Sequence, residues 1–63
     1  MAWIKVTTPD GQTAYLSIDQ IVRVGPPAGN DPQAKALVEL TAGQLATRES
    51  VDEIMQKIKH PDF

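Results

Sequence analysis

Apolar and polar residues alternate near the start of the chain, over residues 3–7. This alternation has the period of a half-buried β-strand and places Ile4 and Val6 on one face. The following Pro9-Asp10-Gly11 is typical of a type I turn closed by a glycine bulge, so the chain is expected to fold back as a hairpin. The turn and the apolar pattern select the same register, which pairs Ile4 with Leu16, Lys5 with Tyr15 and Val6 with Ala14.

Three later runs of mostly aliphatic residues predict further strands over residues 21–24, 34–41 and 45–48. The segment 17–20 interrupts the alternation and is expected to form one tight turn, in which Ser17 or Asp19 bonds nearby backbone. The expected core residues of this region are Ile18 and either Ile21 or Val22.

The last two strands reverse direction near Ala42 and Gly43. Ala42 is poorly suited to the positive φ of a two-residue type I′ turn, so we expect a four-residue loop over residues 41–44. The expected register pairs Leu40 with Leu45 and Val38 with Thr47.

The end of the chain changes to a helical period. Ser50 and Glu53 have the spacing of a capping box, and Pro61 ends the helix. A helix of about ten residues is marginal alone in water, so its apolar stripe must be buried. The stripe consists of Val51, Ile54, Met55 and Ile58.

The pattern as a whole predicts an α+β fold. We expect a small twisted antiparallel β-sheet of four to five short strands, partly barrel-like, packed by one C-terminal α-helix. Residues 1–63 form a single domain in this interpretation, and residues 25–33, which include three prolines and two glycines, form a flexible loop within it. The loop is either a tolerated insertion or a functional loop, and we favour the insertion.

Length and charge narrow the classes of function. A chain of 63 residues buries only about 60% of its unfolded surface, so its core is thin and oligomerisation is a common remedy. The net charge of −2 and the scattered cations make nucleic acid or an anionic membrane an unexpected partner. No apolar run approaches the length of a membrane span and no signal peptide is recognisable, so the expected location is the cytoplasm.

Candidate reactive residues all have structural explanations. Ser17 and Ser50 are explained as turn and cap residues, and His60, the only histidine, as a helix-end residue. The chain has no cysteine and one histidine, so it lacks the set of ligands that a zinc site requires. We therefore expect no enzyme, no catalytic or metal site, no cofactor and no small-molecule substrate.

The expected site is a surface that binds protein. The hairpin register places Trp3, Lys5 and Tyr15 on the face opposite Ile4 and Val6, and aromatic residues are enriched at binding hot spots. Lys5 is positioned to lie across an aromatic ring, and Met55 is at the edge of the helix stripe. The alternatives are that this face is a second core or that Trp3 and Tyr15 form one half-exposed aromatic pair without a binding role. The expected partner is a second copy, giving a homodimer or larger oligomer, or another protein.

A longer pattern spans nearly the whole chain and consists of Ile4-Lys5-Val6-Thr7, Asp10-Gly11, Ile18 with Ile21, Val38 to Gly43, and Arg48 to Ile54. In this pattern the chain resembles the small FlbD-type flagellar proteins and short bacterial and phage proteins. The resemblance implies a twisted antiparallel sheet closed by a C-terminal helix, no catalytic residues, and a flagellar or phage accessory context.

A second resemblance is to the carbon storage regulators, which are small dimeric RNA-binding proteins. It rests on the order of short strands followed by a helix that begins with Arg48-Glu49. The basic first strand of those regulators is absent here, since Lys5 is the one cation in residues 4–7. RNA binding is therefore the alternative to protein interaction.

Overall fold

Five strands and one C-terminal helix form an α+β fold in the computed structural model, which describes residues 2–63. The predicted fold class is confirmed, but the strands form a two-stranded and a three-stranded antiparallel sheet that do not close into a barrel. The strands are β1 (Trp3–Thr7), β2 (Thr13–Ser17), β3 (Ile21–Gly25), β4 (Ala36–Leu40) and β5 (Gly43–Thr47), and the helix is α1 (Val51–Lys59).

The hairpin of β1 and β2 has the predicted register at all three predicted pairs. Gly11 supplies the positive φ, +94°, that the glycine bulge requires, and its N–H donates to the carbonyl of Thr8 at 2.9 Å. The Thr8 hydroxyl donates to the carboxylate of Asp10, and this hydrogen bond lowers the pKa of Asp10. The turn chemistry and the alternation of side chains therefore both determine the register of this hairpin.

The second sheet has the strand order β3-β4-β5, and its predicted last register is wrong by two residues. A two-residue turn at Thr41 and Ala42 replaces the four-residue loop, because the positive φ falls on Gly43, at +155°, and not on Ala42. The shift by two keeps the same residues on the inner face. The observed pairs are Val38 with Leu45, Ala36 with Thr47 and Leu40 with Gly43.

The core is entirely aliphatic apart from the hydroxyl of Thr47. Ile54 is the one fully buried side chain of the described helix, which begins with the predicted capping box at Ser50 and Glu53. The buried cluster comprises Ile4, Val6, Leu16, Ala36, Val38 and Ile54. The helix thus covers the inner faces of both sheets, as the apolar stripe predicts.

Two connections differ in detail from the prediction. Residues Ile18–Gln20 form a short 3₁₀-helix, and the side chain of Ser17, its N-cap, makes no capping hydrogen bond. Ile18 and Ile21 pack against the core, whereas Val22 is 65% exposed. Residues 26–35 contain no helix or strand, so the irregular segment ends later than predicted; its flexibility stays a prediction.

Candidate functional site

All three aromatic residues of the chain lie outside the core. The exposed fractions are 37% for Trp3, 54% for Tyr15 and 67% for Phe63. Aromatic side chains bury the largest apolar areas in most cores, so their common placement on the surface needs an explanation. We call the surface formed by Trp3, Tyr15 and Phe63 the aromatic face.

The β1–β2 hairpin and the residues after α1 build the aromatic face. Trp3 and Tyr15 project from the side of the hairpin opposite Ile4, because side chains alternate along each strand. Phe63 joins them through two backbone hydrogen bonds with Trp3, each 3.2 Å long. The rings of Tyr15 and Phe63 are tilted by 57°, with centroids 5.7 Å apart, which is a favourable aromatic geometry.

A shallow apolar groove of about 250 Å³ continues the aromatic face toward the second sheet. Trp3 and Tyr15 form one side, and the turn between β4 and β5 forms the other. The exposed surface of the groove is mostly apolar, as is common in binding pockets. Its lining residues are Trp3, Tyr15, Leu16, Ser17, Gln20, Leu40, Thr41 and Ala42.

The predicted site residues are only partly brought together. Trp3, Lys5 and Tyr15 share the outer side of the hairpin, as predicted, and these rings do not form a second core. Within residues 2–63, no cation–π contact places Lys5 on a ring. Met55 is 42% exposed and does not line the groove. Sequence reasoning missed Phe63, for which the available signal was a third aromatic residue directly after the helix stop at Pro61.

The outer edge of β1 is closed by the residues that follow α1. The N–H of Lys5 donates to Asp62 Oδ2 at 2.7 Å, and Lys57 Nζ lies 3.3 Å from the same oxygen. The hydrogen bond from Lys5, helped by Lys57, lowers the pKa of Asp62. This carboxylate holds the chain next to Phe63 against β1 and so contributes to the aromatic face.

The other end of β1 is held by the Arg48-Glu49-Ser50 segment. The N–H of Thr7 donates to Glu49 Oε1 at 2.8 Å, and the N–H of Arg48 donates to the Thr7 carbonyl at 2.8 Å. The Arg48 guanidinium donates to the Pro9 carbonyl through Nε at 3.2 Å and Nη2 at 2.9 Å. This segment therefore joins the two sheets and leads into the helix.

Among the polar residues considered as reactive, Ser50 has a structural side-chain contact, and His60 has a backbone one. Ser50 Oγ accepts from the N–H of Glu53 at 3.2 Å, and the N–H of His60 donates to the Gln56 carbonyl at 2.9 Å. In the described part of the chain, no group of three or more histidine and acidic side chains is placed to hold a metal ion. The exposure of the three aromatic side chains and their position beside the groove make the aromatic face the candidate site.

None of the helices within residues 2–63 is both long and apolar enough to cross a bilayer. Comparisons of this chain with family models, with curated proteins and with solved structures found no match.

Proposed function

We propose that this protein is a non-enzymatic interaction module whose aromatic face binds protein. The observation that carries the proposal is the exposure of all three aromatic residues on one surface above an aliphatic core. A thin core gains stability from every ring that it buries, so keeping the rings outside has a cost that a binding role explains.

The geometry of the aromatic face suits protein recognition. Trp3 is held by backbone hydrogen bonds to Phe63, and the Phe63 ring rests against Tyr15, so the rings are ordered before binding. Ordered aromatic side chains lose little conformational entropy on association and bury about 150–250 Å² each when fully covered. The adjoining groove offers a pocket for an apolar side chain of the partner.

The distribution of charge favours protein over RNA as the partner. Arg48 is bound to the Pro9 carbonyl, Arg23 lies 3.4 Å from Glu39, and Lys57 lies 3.3 Å from Asp62. These contacts leave Lys5, Lys35 and Lys59 as the cations without such a partner among residues 2–63. RNA binding of the carbon storage type depends on clustered cations. RNA is therefore less well supported than protein as the partner.

The resemblance to FlbD-type proteins supplies a context for the proposal. The proposed context is an accessory or regulatory role in a flagellar or phage assembly, exerted in the cytoplasm. The resemblance concerns strand, turn and cap residues such as Arg48, Glu49 and Ser50, which hold the fold together. The resemblance therefore supports the context of the interaction, whereas the aromatic residues define the proposed binding surface.

Site-specific photo-cross-linking in cells tests the proposed surface. A benzophenone amino acid in place of Tyr15 should yield covalent protein adducts, because position 15 lies within the contact surface. The same group in place of Val22 is the matched control, since Val22 is 65% exposed on β3. Trp3→Ala should reduce the adduct yield at position 15. Equal yields at positions 15 and 22, or no adducts at position 15, would contradict the proposed function.

A further inference from the structure

The outer edge of β2 pairs with no strand within residues 2–63. The N–H of Thr8 donates to the Gln12 carbonyl at 2.8 Å, and the N–H of Ile18 donates to the Ala2 carbonyl at 3.0 Å. Bonded pairs alternate along an antiparallel ladder, so the even-numbered residues of β2 bond to β1. The odd-numbered residues Thr13, Tyr15 and Ser17 direct their backbone groups outward, and the carbonyl of Ser17 is also the first acceptor of the 3₁₀-helix Ile18–Gln20.

The other strand edges carry features that oppose the addition of a strand. Asp62, Phe63 and Glu49 occupy the outer edge of β1. Strand β3 is interrupted by a register shift between Ile21 and Arg23, and two prolines follow it. Strand β5 begins with Gly43, a residue type that strands disfavour. Bulges, prolines and side-chain caps are the usual protection of sheet edges, and β2 has none of them.

The sequence of β2 is also suited to pairing with itself. Thr13–Ser17 contains no charged residue, no proline and no glycine. Antiparallel pairing about a two-fold axis at Tyr15 would place each Thr13 opposite the Ser17 of the second copy, and the two Tyr15 residues opposite each other. Every pair in this register is uncharged, and the Thr13–Ser17 and Tyr15–Tyr15 pairs have hydroxyl groups on both sides, which is the self-complementarity that an isologous interface requires.

We propose that two copies of this chain associate through their β2 edges to form a continuous four-stranded antiparallel sheet. This inference rests on the interaction role proposed above, and it names a second copy as one partner. The two Lys5 side chains would be separated by three strand spacings, about 14 Å, which exceeds the Debye length in physiological salt. Their repulsion is therefore small, and the two aromatic faces become one surface on the same side of the sheet.

Substitution of Thr13 tests the backbone pairing without changing the aromatic face. Thr13→Pro removes one outward N–H from each copy, and proline is tolerated at the first residue of a strand. Sedimentation equilibrium should show a dimer for the parent chain and for Thr13→Ala, which keeps the N–H. Thr13→Pro should weaken the dimer at least about tenfold, because two intermolecular hydrogen bonds are lost. Equal association of the two variants would overturn the proposal.

Amide hydrogen exchange provides a second readout that does not depend on the proline variant folding. In the parent chain, the Tyr15 amide should become protected as the protein concentration rises, while the Leu16 amide, already bonded to Ile4, should not change. A monomer at millimolar concentration, with a Tyr15 amide that exchanges equally fast at all concentrations, would overturn the β2 dimer. Adducts between position 15 and a different protein would still support the proposed function, so the two failures are distinguishable.

Discussion

Ile54→Ala should lower the free energy of unfolding by about 2–5 kcal/mol. Ile54 is fully buried, and its side chain joins the helix to the core cluster of both sheets. The substitution removes apolar contact and leaves a cavity that a small core cannot easily refill. A chain of 63 residues has a total stability of roughly 3–9 kcal/mol, so this variant should be close to unfolding at room temperature.

Denaturant unfolding followed by circular dichroism measures this effect. Met55→Ala is the matched control because Met55 is the next residue in the same helix and is 42% exposed. It should change the stability by less than about 1 kcal/mol, as is usual for substitutions at the surface. If the midpoint of Ile54→Ala equalled that of the parent, the packing of the helix against the sheets would be wrong.

Glu49→Ala should destabilise the fold by about 1–3 kcal/mol. Oε1 of Glu49 accepts from the Thr7 N–H at 2.8 Å, in a half-buried position where the outer edge of β1 meets the start of the helix. Alanine leaves that N–H without its acceptor. Leaving a donor unsatisfied costs more free energy than an average hydrogen bond contributes to stability. The Thr7 amide should therefore exchange faster in this variant than in the parent.

Glu49→Gln is the control that separates the acceptor from the charge. The glutamine side chain retains a carbonyl oxygen at the same reach, so most of the stability and the protection of the Thr7 amide should be recovered. Urea denaturation and amide exchange at Thr7, measured for the parent, Glu49→Ala and Glu49→Gln, test this prediction. Identical stabilities for the alanine variant and the parent would show that Glu49 does not secure β1.

The first hairpin was predictable because two independent signals agree on it. The Pro9-Asp10-Gly11 turn sets the loop length, and the alternation around Ile4 and Val6 selects the face, so a slip by one residue would expose the core. The helix was equally predictable, since its cap at Ser50 and its apolar stripe are local features. In both cases the information lies within a few residues of the element that it specifies.

The remaining features depend on contacts that no local pattern contains. The predicted β4–β5 register was wrong by two residues. Gly43 can lie either within the turn or directly after it, and both positions keep Val38 on the inner face. Met55 is 42% exposed although it belongs to the apolar stripe, because the stripe alone does not determine which of its members the sheets cover. The Phe63–Trp3 pairing joins opposite ends of the printed sequence, so periodicity could not indicate it.

The most direct test of the central claim is a nuclear Overhauser map of the aromatic protons in the folded chain. The account predicts contacts between the rings of Tyr15 and Phe63, whose centroids are 5.7 Å apart, and none from either ring to the methyl groups of Ile54. Ring contacts to Ile54 or to Val38, which are fully buried and do not line the groove, would contradict it. They would place the aromatic residues in the core and remove the surface on which the proposed interaction depends.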